Sequence, residues 1–344
     1  MFDVLAFHDA PRGARLAYHH LPATAPGRGI VVVCHGLAEH SRRYRRFAEA
    51  LSAAGYHVFA HDHRGHGETT AIGAPPGRFA RREGWRAVIS DTLSMRDLAA
   101  GQYPALPVIL FGHSMGGLVA LNTATDHPDA FDAVAVWNSN FNPGVAGRFA
   151  QGVLAVERIL KGSDVPSQIL PRATFLAWGR RIPNRRTDAD WLSHDAEEVD
   201  AYVNDPLCGF DASVSMWRDV FTLTFRGASS EQLQRLPKNK PIHLVGGAQD
   251  PATDNARAVE WLGKRLARQG FSAVTTRIYP DMRHETLNEI GREDATEDFI
   301  GWCNAVTGRA ELKTPDALAM PKRNDPMREI QVLPAGREAI DSPT

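Results

Sequence analysis

The run "VILFGHSMGGLVALNTAT" (108–125) decides the fold. "VILF" is a continuous apolar stretch of the kind that fills a strand buried on both faces, and a helical pattern begins at Met115. Between them stands G-x-S-x-G, Gly112 to Gly116. The bare pattern is only suggestive. Its place between a strand and a helix is far more specific, because that turn lifts a serine oxygen above the edge of an α/β sheet. Glycines at 112 and 116 keep side chains out of so tight a bend. The competing reading is a serine that merely caps a helix.

Strand and helix patterns alternate on either side. "FDVLAFHDA" (2–10), a Pro-Arg-Gly turn and "ARLAYHHLP" (14–22) form a hairpin pattern. "IVVVC" (30–34) is a buried strand, and "SRRYRRFAEALSAAG" (41–55) a helix with Ser41 as N-cap and Gly55 as its stop. "YHVFAHD" (56–62), "WRAVISDTLSMRDLAA" (85–100) and "AFDAVAVWNS" (130–139) continue the rhythm, which "PIHLVGG" (241–247) and "SAVTTRIYP" (272–280) resume. This alternation predicts an α/β fold with a mostly parallel twisted sheet flanked by helices. Residues 143–215 carry helical stretches and Pro/Gly punctuation but no sheet strand. The expected division is therefore a core of 1–142 and 216–306, a helical insertion of 143–215, and a weakly structured tail of 307–344.

A serine alcohol needs a base, and the base an orienting acid. With the elbow the order is serine, acid, histidine. Of the histidines after Ser114, His127 sits in a turn, His194 in the insertion and His243 inside a strand. His284 follows the carboxyl end of a strand, where open α/β sheets hold their ligands, and is the expected base. Asp250, just past "IHLVGG", is the expected acid, with Asp254 and Asp281 as competitors. An oxyanion needs two N–H donors. The Met115 amide is one, and the Leu37 amide, in the loop after strand 30–34, is the other.

"HDHRGHG" (61–67) raises the question of a metal at His61, His63 and His66. The dinuclear metallohydrolase pattern wants an aspartate where Gly65 stands, and Gly65 and Gly67 suit a tight turn. The expectation is scaffold, held by an Asp62–Arg64 contact, with no metal and no cofactor. "HETLN" (284–288) lacks the second histidine of a zinc helix, since Asn288 takes its place. "RRYRR" (42–46) reads as a solvated helix face.

"HGLAEH", "DHRGHG", "GHSMGG", "GAQD" and "MRHETLNE" occur in this order. Together they resemble the monoacylglycerol lipase and bacterial lysophospholipase branch, of serine aminopeptidase S33 type, of the α/β-hydrolase superfamily. "NDPL" (204–207) resembles a segment of that branch near the end of its cap. The resemblance spans about 30 to 306. It implies an α/β-hydrolase fold whose residues 143–215 form a helical cap. It also implies a serine hydrolase that cleaves carboxylic esters of monoacyl lipids through an acyl-enzyme. Ser114 is then nucleophile, His284 base and then acid, Asp250 its orienter, and Leu37 and Met115 the oxyanion donors. Esterase, thioesterase and acyltransferase activities on other small acyl substrates share this machinery, and a non-catalytic binding protein is the remoter alternative. Aspartate-nucleophile hydrolases are disfavoured by Ser114.

A helical stripe of Val145, Phe149, Val153, Val156 and Leu160 is expected to pack mainly on the core. A net charge of −1 and 23% charged residues give no field for nucleic acid. Three scattered cysteines fit a reducing compartment. The N-terminus has no signal-like apolar region. The expectation is a soluble cytoplasmic protein with a small acyl ester as its partner and at most peripheral membrane contact.

Overall fold

The structure, a computed structural model, describes residues 2–311. Strands β1 (Leu5–Ala10) and β2 (Ala14–Leu21) form the expected hairpin. There follow β3 (Gly29–Cys34), α1 (Arg45–Ala53), β4 (Tyr56–His61), β5 (Thr70–Ala71) and α2 (Gly84–Gln102). Next come β6 (Val108–His113), α3 (Met115–Asp126) and β7 (Ala133–Trp137). Helices α4 (Gly144–Lys161), α5 (Leu170–Ala173), α6 (Phe175–Arg180), α7 (Ala196–Asn204), α8 (Val214–Gly227) and α9 (Ser230–Leu233) separate β7 from β8 (Ile242–Gly247). The chain closes with α10 (Arg257–Arg268), β9 (Val274–Tyr279) and α11 (Arg292–Glu311).

The strands lie in the order β1-β2-β4-β3-β6-β7-β8-β9, with β5 on β2. From β3 to β9 across the sheet every neighbouring pair is parallel, and the hairpin joins β4 antiparallel. Alternation along the buried strands divides the core in two. Ile30, Val32, Val108 and Leu110 face α2, α3 and α8, whereas Val31, Val33, Ile109 and Phe111 face α1 and α11. That two-sided burial explains why these strands read as unbroken apolar runs. The chain passes from β3 to β4 on one side and then to β6 on the other. The carboxyl ends of β3 and β6 thus flank a topological switch point, where such sheets leave a crevice.

Three expectations need correction. Ser41 does not cap α1: a short 3-10 turn (Ser41–Tyr44) precedes the helix, and the Ser41 hydroxyl donates to Asp62 at 2.6 Å. Arg64 does not pair with Asp62. Its guanidinium forks onto Asp91 at 2.6 and 2.8 Å and onto the carbonyls of Pro11 and Arg12. Asp62 instead takes the Ser41 and Glu68 amides. Helix α11 runs past residue 307 to Glu311, with Val306 buried and the Thr307 hydroxyl donating to the Cys303 carbonyl. The remainder of the expected tail lies outside the described residues.

The Arg64 pair is fully buried. Burial pushes the Asp91 carboxyl up to about 6 against the pull of the guanidinium. Removing the arginine strands this carboxyl and two carbonyls. Arg64→Ala is expected to destabilise the fold by about 3–5 kcal/mol, read as a lowered guanidinium midpoint. An unchanged midpoint would remove the pair from the scaffold.

Candidate active site

Ser114 stands between β6 and α3 with φ 55° and ψ −119°, a conformation that only a tightly braced turn holds in a non-glycine residue. A Cβ at Gly112 would strike the Gly116 backbone, and one at Gly116 would strike the Cys34 and His35 carbonyls. The two glycines therefore let β6, α3 and the loop after β3 approach one another. Ser139 completes the brace, its hydroxyl donating to the Ser114 carbonyl at 2.7 Å.

The other residues expected from the sequence converge here. His284 Nε2 lies 2.9 Å from Ser114 Oγ, and its Nδ1 lies 2.9 Å from Asp250 Oδ2. A carboxylate only accepts, so Nδ1 carries the proton and Nε2 is left to accept from the serine. Asp250 is wholly buried. It also accepts from the Ala252 amide (2.9 Å), the Thr253 hydroxyl (2.8 Å) and Asn138 Nδ2 (3.3 Å). Burial opposes its ionisation, but the His284 charge and hydrogen bond, with Thr253 and Ala252, hold the carboxyl below its usual range. Asp254 borders the cavity but pairs with Arg181 and Arg257 and makes no hydrogen bond to His284, and Asp281 sits on the surface.

Leu37 and Met115 both line the cavity at Ser114. Neither amide donates to a protein acceptor among the described residues. The loop that carries Leu37 is pinned at Ala38 (φ 57°), whose carbonyl accepts from the Tyr202 hydroxyl and the Gly209 amide. Asp205 of "NDPL" meets His40 at 2.9 Å, which ties the same loop to the stretch after α7.

The sequence reading missed a buried ion cluster beneath this site. Arg43 binds Glu285 through two bonds, 2.6 and 2.7 Å, and Glu39 at 2.8 Å. It is therefore no part of a solvated face, although Arg42, Arg45 and Arg46 are exposed. Glu39 lies inside "HGLAEH" and Glu285 directly follows His284, so the signal stood within motifs already singled out.

The cavity above Ser114, about 440 Å³, is chiefly apolar. Phe175, Trp178, Trp191 and Trp217 form one aromatic wall, with ring centroids 4.9 to 5.8 Å apart, and Trp191 lies 4.9 Å from the His284 ring. Of the α4 stripe expected to pack on the core, only Val153 does so. Val145, Phe149, Val156 and Leu160 are 86%, 74%, 55% and 75% exposed, and Leu154 on another face is the buried anchor. Apolar residues run most of the way around α4, so spacing alone did not identify the packed face. Phe149 and Val153 reach the cavity.

"HDHRGHG" lies under the loop after β3. Burial lowers His61 and His66 to about 3 and holds His63 well below its ordinary value, leaving neutral rings in which His63 packs on His61, His66 and His35, and His66 also meets His35. Cys34, His61 and His63 do bring ligand atoms within 4.8 Å of one another. Burial raises the Cys34 thiol to about 12, which works against the thiolate a soft cation would need.

Residues 25–291 match the family model described as serine aminopeptidase, S33. The chain belongs to that family. It is 32% identical to a monoglyceride lipase of Homo sapiens over 316 residues, 88% of this chain and 91% of the relative. It is 29% identical to a monoacylglycerol lipase of Mycolicibacterium smegmatis over 295 residues, 84% and 93% of the two chains. Among solved structures, a thermostable carboxyl esterase from Bacillus coagulans superposes with a TM-score of 0.80 at 26% identity. That match covers 88% of this chain and 98% of the esterase. The overall architecture of this S33 chain is thus an α/β-hydrolase fold.

Proposed function

We propose that this chain is a serine hydrolase that cleaves the carboxylic ester of monoacyl lipids, of monoacylglycerol or lysophospholipid type. The observation that carries the reading is Ser114, 2.9 Å from His284 Nε2, opening into an apolar cavity of about 440 Å³. Ser114 Oγ attacks the ester carbonyl as His284 takes its proton, and Asp250 stabilises the imidazolium that forms. The Leu37 and Met115 amides receive the oxyanion. His284 then protonates the departing alkoxide, leaving an acyl-serine. Water, deprotonated by His284, attacks that acyl group, and His284 returns the proton to the departing Ser114 Oγ, releasing the fatty acid and the free enzyme.

Residues 143–215 act as the cap in this reading, with the aromatic wall and α4 enclosing the acyl chain. The exposed apolar face of α4 runs to the cavity mouth through Phe149, and Arg148, Arg158 and Lys161 stand on the same helix. Such a face suits peripheral contact with a lipid aggregate. Among the described residues no helix is long and apolar enough to cross a membrane.

An acyl-length series of monoacylglycerols, lysophospholipids and p-nitrophenyl esters tests the substrate class. At about 0.8 kcal/mol per buried methylene, two added methylenes are expected to raise kcat/KM roughly tenfold until the cavity is full. Equal turnover of acetyl and medium-chain esters would favour a small-ester esterase. Ile159→Ser, on the exposed face, is expected to reduce turnover of aggregated substrate only, and an equal loss on monomeric esters would remove the membrane contact.

A further inference from the structure

His113, the variable residue of G-x-S-x-G, is buried at the end of β6 and takes no part in the chemistry above. Its Nε2 lies 3.0 Å from the carbonyl oxygen of His284, and its Nδ1 lies 3.5 Å from Glu39 Oε1. A carbonyl only accepts. Glu39 already receives the Gly36 amide (2.5 Å), the Tyr44 hydroxyl (2.9 Å) and Arg43 Nη1 (2.8 Å), a donor set that calls for an ionised carboxylate. His113 therefore faces an acceptor on each side. A neutral imidazole has one N–H and one lone pair, and would press that lone pair against one of them.

His35, in the loop after β3, shows the contrast. Its Nε2 accepts the His63 amide at 2.9 Å and its Nδ1 meets the Gly36 carbonyl at 2.7 Å, a pattern that fits a neutral ring. Charge balance agrees. Glu39 and Glu285 bring two negative charges into the buried cluster, and Arg43 only one positive charge. A second cation brings the sum to zero, whereas a neutral His113 leaves a buried net charge, which is expensive.

We infer that His113 is a buried imidazolium, a positioning residue that ties the loop supplying the Leu37 amide to the loop supplying His284. The inference rests on the hydrolase reading above for what those two loops do. Glu39 holds the Gly36 amide, which sets the peptide leading to Leu37, and His113 holds both Glu39 and the backbone of His284. One proton thus braces the oxyanion side and the base together. Burial opposes the charged ring, but the hydrogen bond and charge of Glu39, then Glu285 and the His284 carbonyl, raise its pKa.

The groups around His113 are Glu39, Arg43 and Tyr44 from the segment before α1, Arg46 from α1, and His284 and Glu285 from the loop after β9. Because the folded value is raised, the stabilisation is complete below the unfolded histidine value of about 6.5. It is lost as pH rises through the folded value.

Histidine-labelled 15N spectra at about pH 8.5, roughly two units above the ordinary value, test the protonation directly. The expected result is one histidine with protons on both ring nitrogens, absent from His113→Gln and unchanged in Ser114→Ala. Glu39→Gln, which preserves shape, is expected to move the loss of that proton to lower pH. Both His113→Gln and Glu39→Gln are expected to lower kcat by roughly 10- to 100-fold with KM within about twofold, as a small misplacement of reacting groups does. In Glu39→Gln the alkaline fall in kcat should move to lower pH with the proton. A neutral ring at His113 at that pH overturns the proposal. So does kcat at the wild-type value in Glu39→Gln, a variant that serves even if His113→Gln fails to fold. Retained turnover in Ser114→Ala would instead overturn the hydrolase reading and leave the imidazolium standing.

Discussion

Ser114→Ala is expected to reduce kcat for any carboxylic ester by roughly 10⁶-fold while leaving KM almost unchanged. The size follows from what the substitution removes. On the proposed mechanism no acyl-enzyme forms without Oγ, and only the proposed oxyanion amides and the cavity remain to help a bound water. The fold should tolerate the change, because the elbow's tightness rests on Gly112, Gly116 and the Ser139 brace, none of which uses Oγ. Stopped assays with a p-nitrophenyl ester give the rate. Mass spectrometry after treatment with a serine-reactive phosphonate checks the nucleophile separately, with an adduct on the wild type and none on the variant. Turnover within about tenfold of the wild type would move the nucleophile elsewhere. Loss of activity to chelation, with no phosphonate adduct on Ser114, would revive a metal mechanism at the histidine cluster.

Most of the site could be read from strand ends. Ser114 and Asp250 each follow a strand whose residues are buried on both faces, and such strands announce themselves as apolar runs. β9 is the exception in burial, an edge strand with exposed residues, yet its position before His284 was still evident. What escaped the reading was pairing over distance. Arg64 sits two residues from Asp62 but binds Asp91, and Ser41 sits before a helix but serves Asp62. Arg43 lies among exposed arginines and is buried by Glu285, 242 residues away. A charged side chain looks the same in sequence whether solvated or paired, because the partner that justifies its burial comes from another element. Asn138 was missed for a related reason. It closes β7 with φ 48° and donates to both Asp250 and the Arg283 carbonyl, roles that only the assembled sheet creates. The α4 stripe failed differently. Periodicity reports that a helix has an apolar side, but α4 is apolar on several sides, and only the neighbouring α8 selects one.

Asp250→Asn is expected to lower kcat by roughly 10⁴-fold with little change in substrate binding. Both carboxylate oxygens are surrounded by donors. Oδ1 takes the Ala252 amide, and Oδ2 takes the Thr253 hydroxyl, Asn138 Nδ2 and His284 Nδ1. An amide nitrogen on the Oδ2 side would face all three and turn His284 to the tautomer that points a proton at Ser114. Placed on the Oδ1 side it would oppose the Ala252 amide, and the neutral carbonyl left on His284 would stabilise the imidazolium less. Either orientation leaves a buried donor unmatched, so stability should fall by about 1–3 kcal/mol as well. The pH dependence has a defined sign. Asp250 is held below its usual range in the fold, so its stabilisation is present above the unfolded value of about 3.9. It is lost as pH falls through the lower folded value, and the variant should lack that acid slope. Asp281→Asn, on the surface, serves as the control and should keep full activity and the slope. Near-wild-type kcat in Asp250→Asn beside a large loss in Asp281→Asn would transfer the orienting role to the carboxylate nearer His284 in sequence.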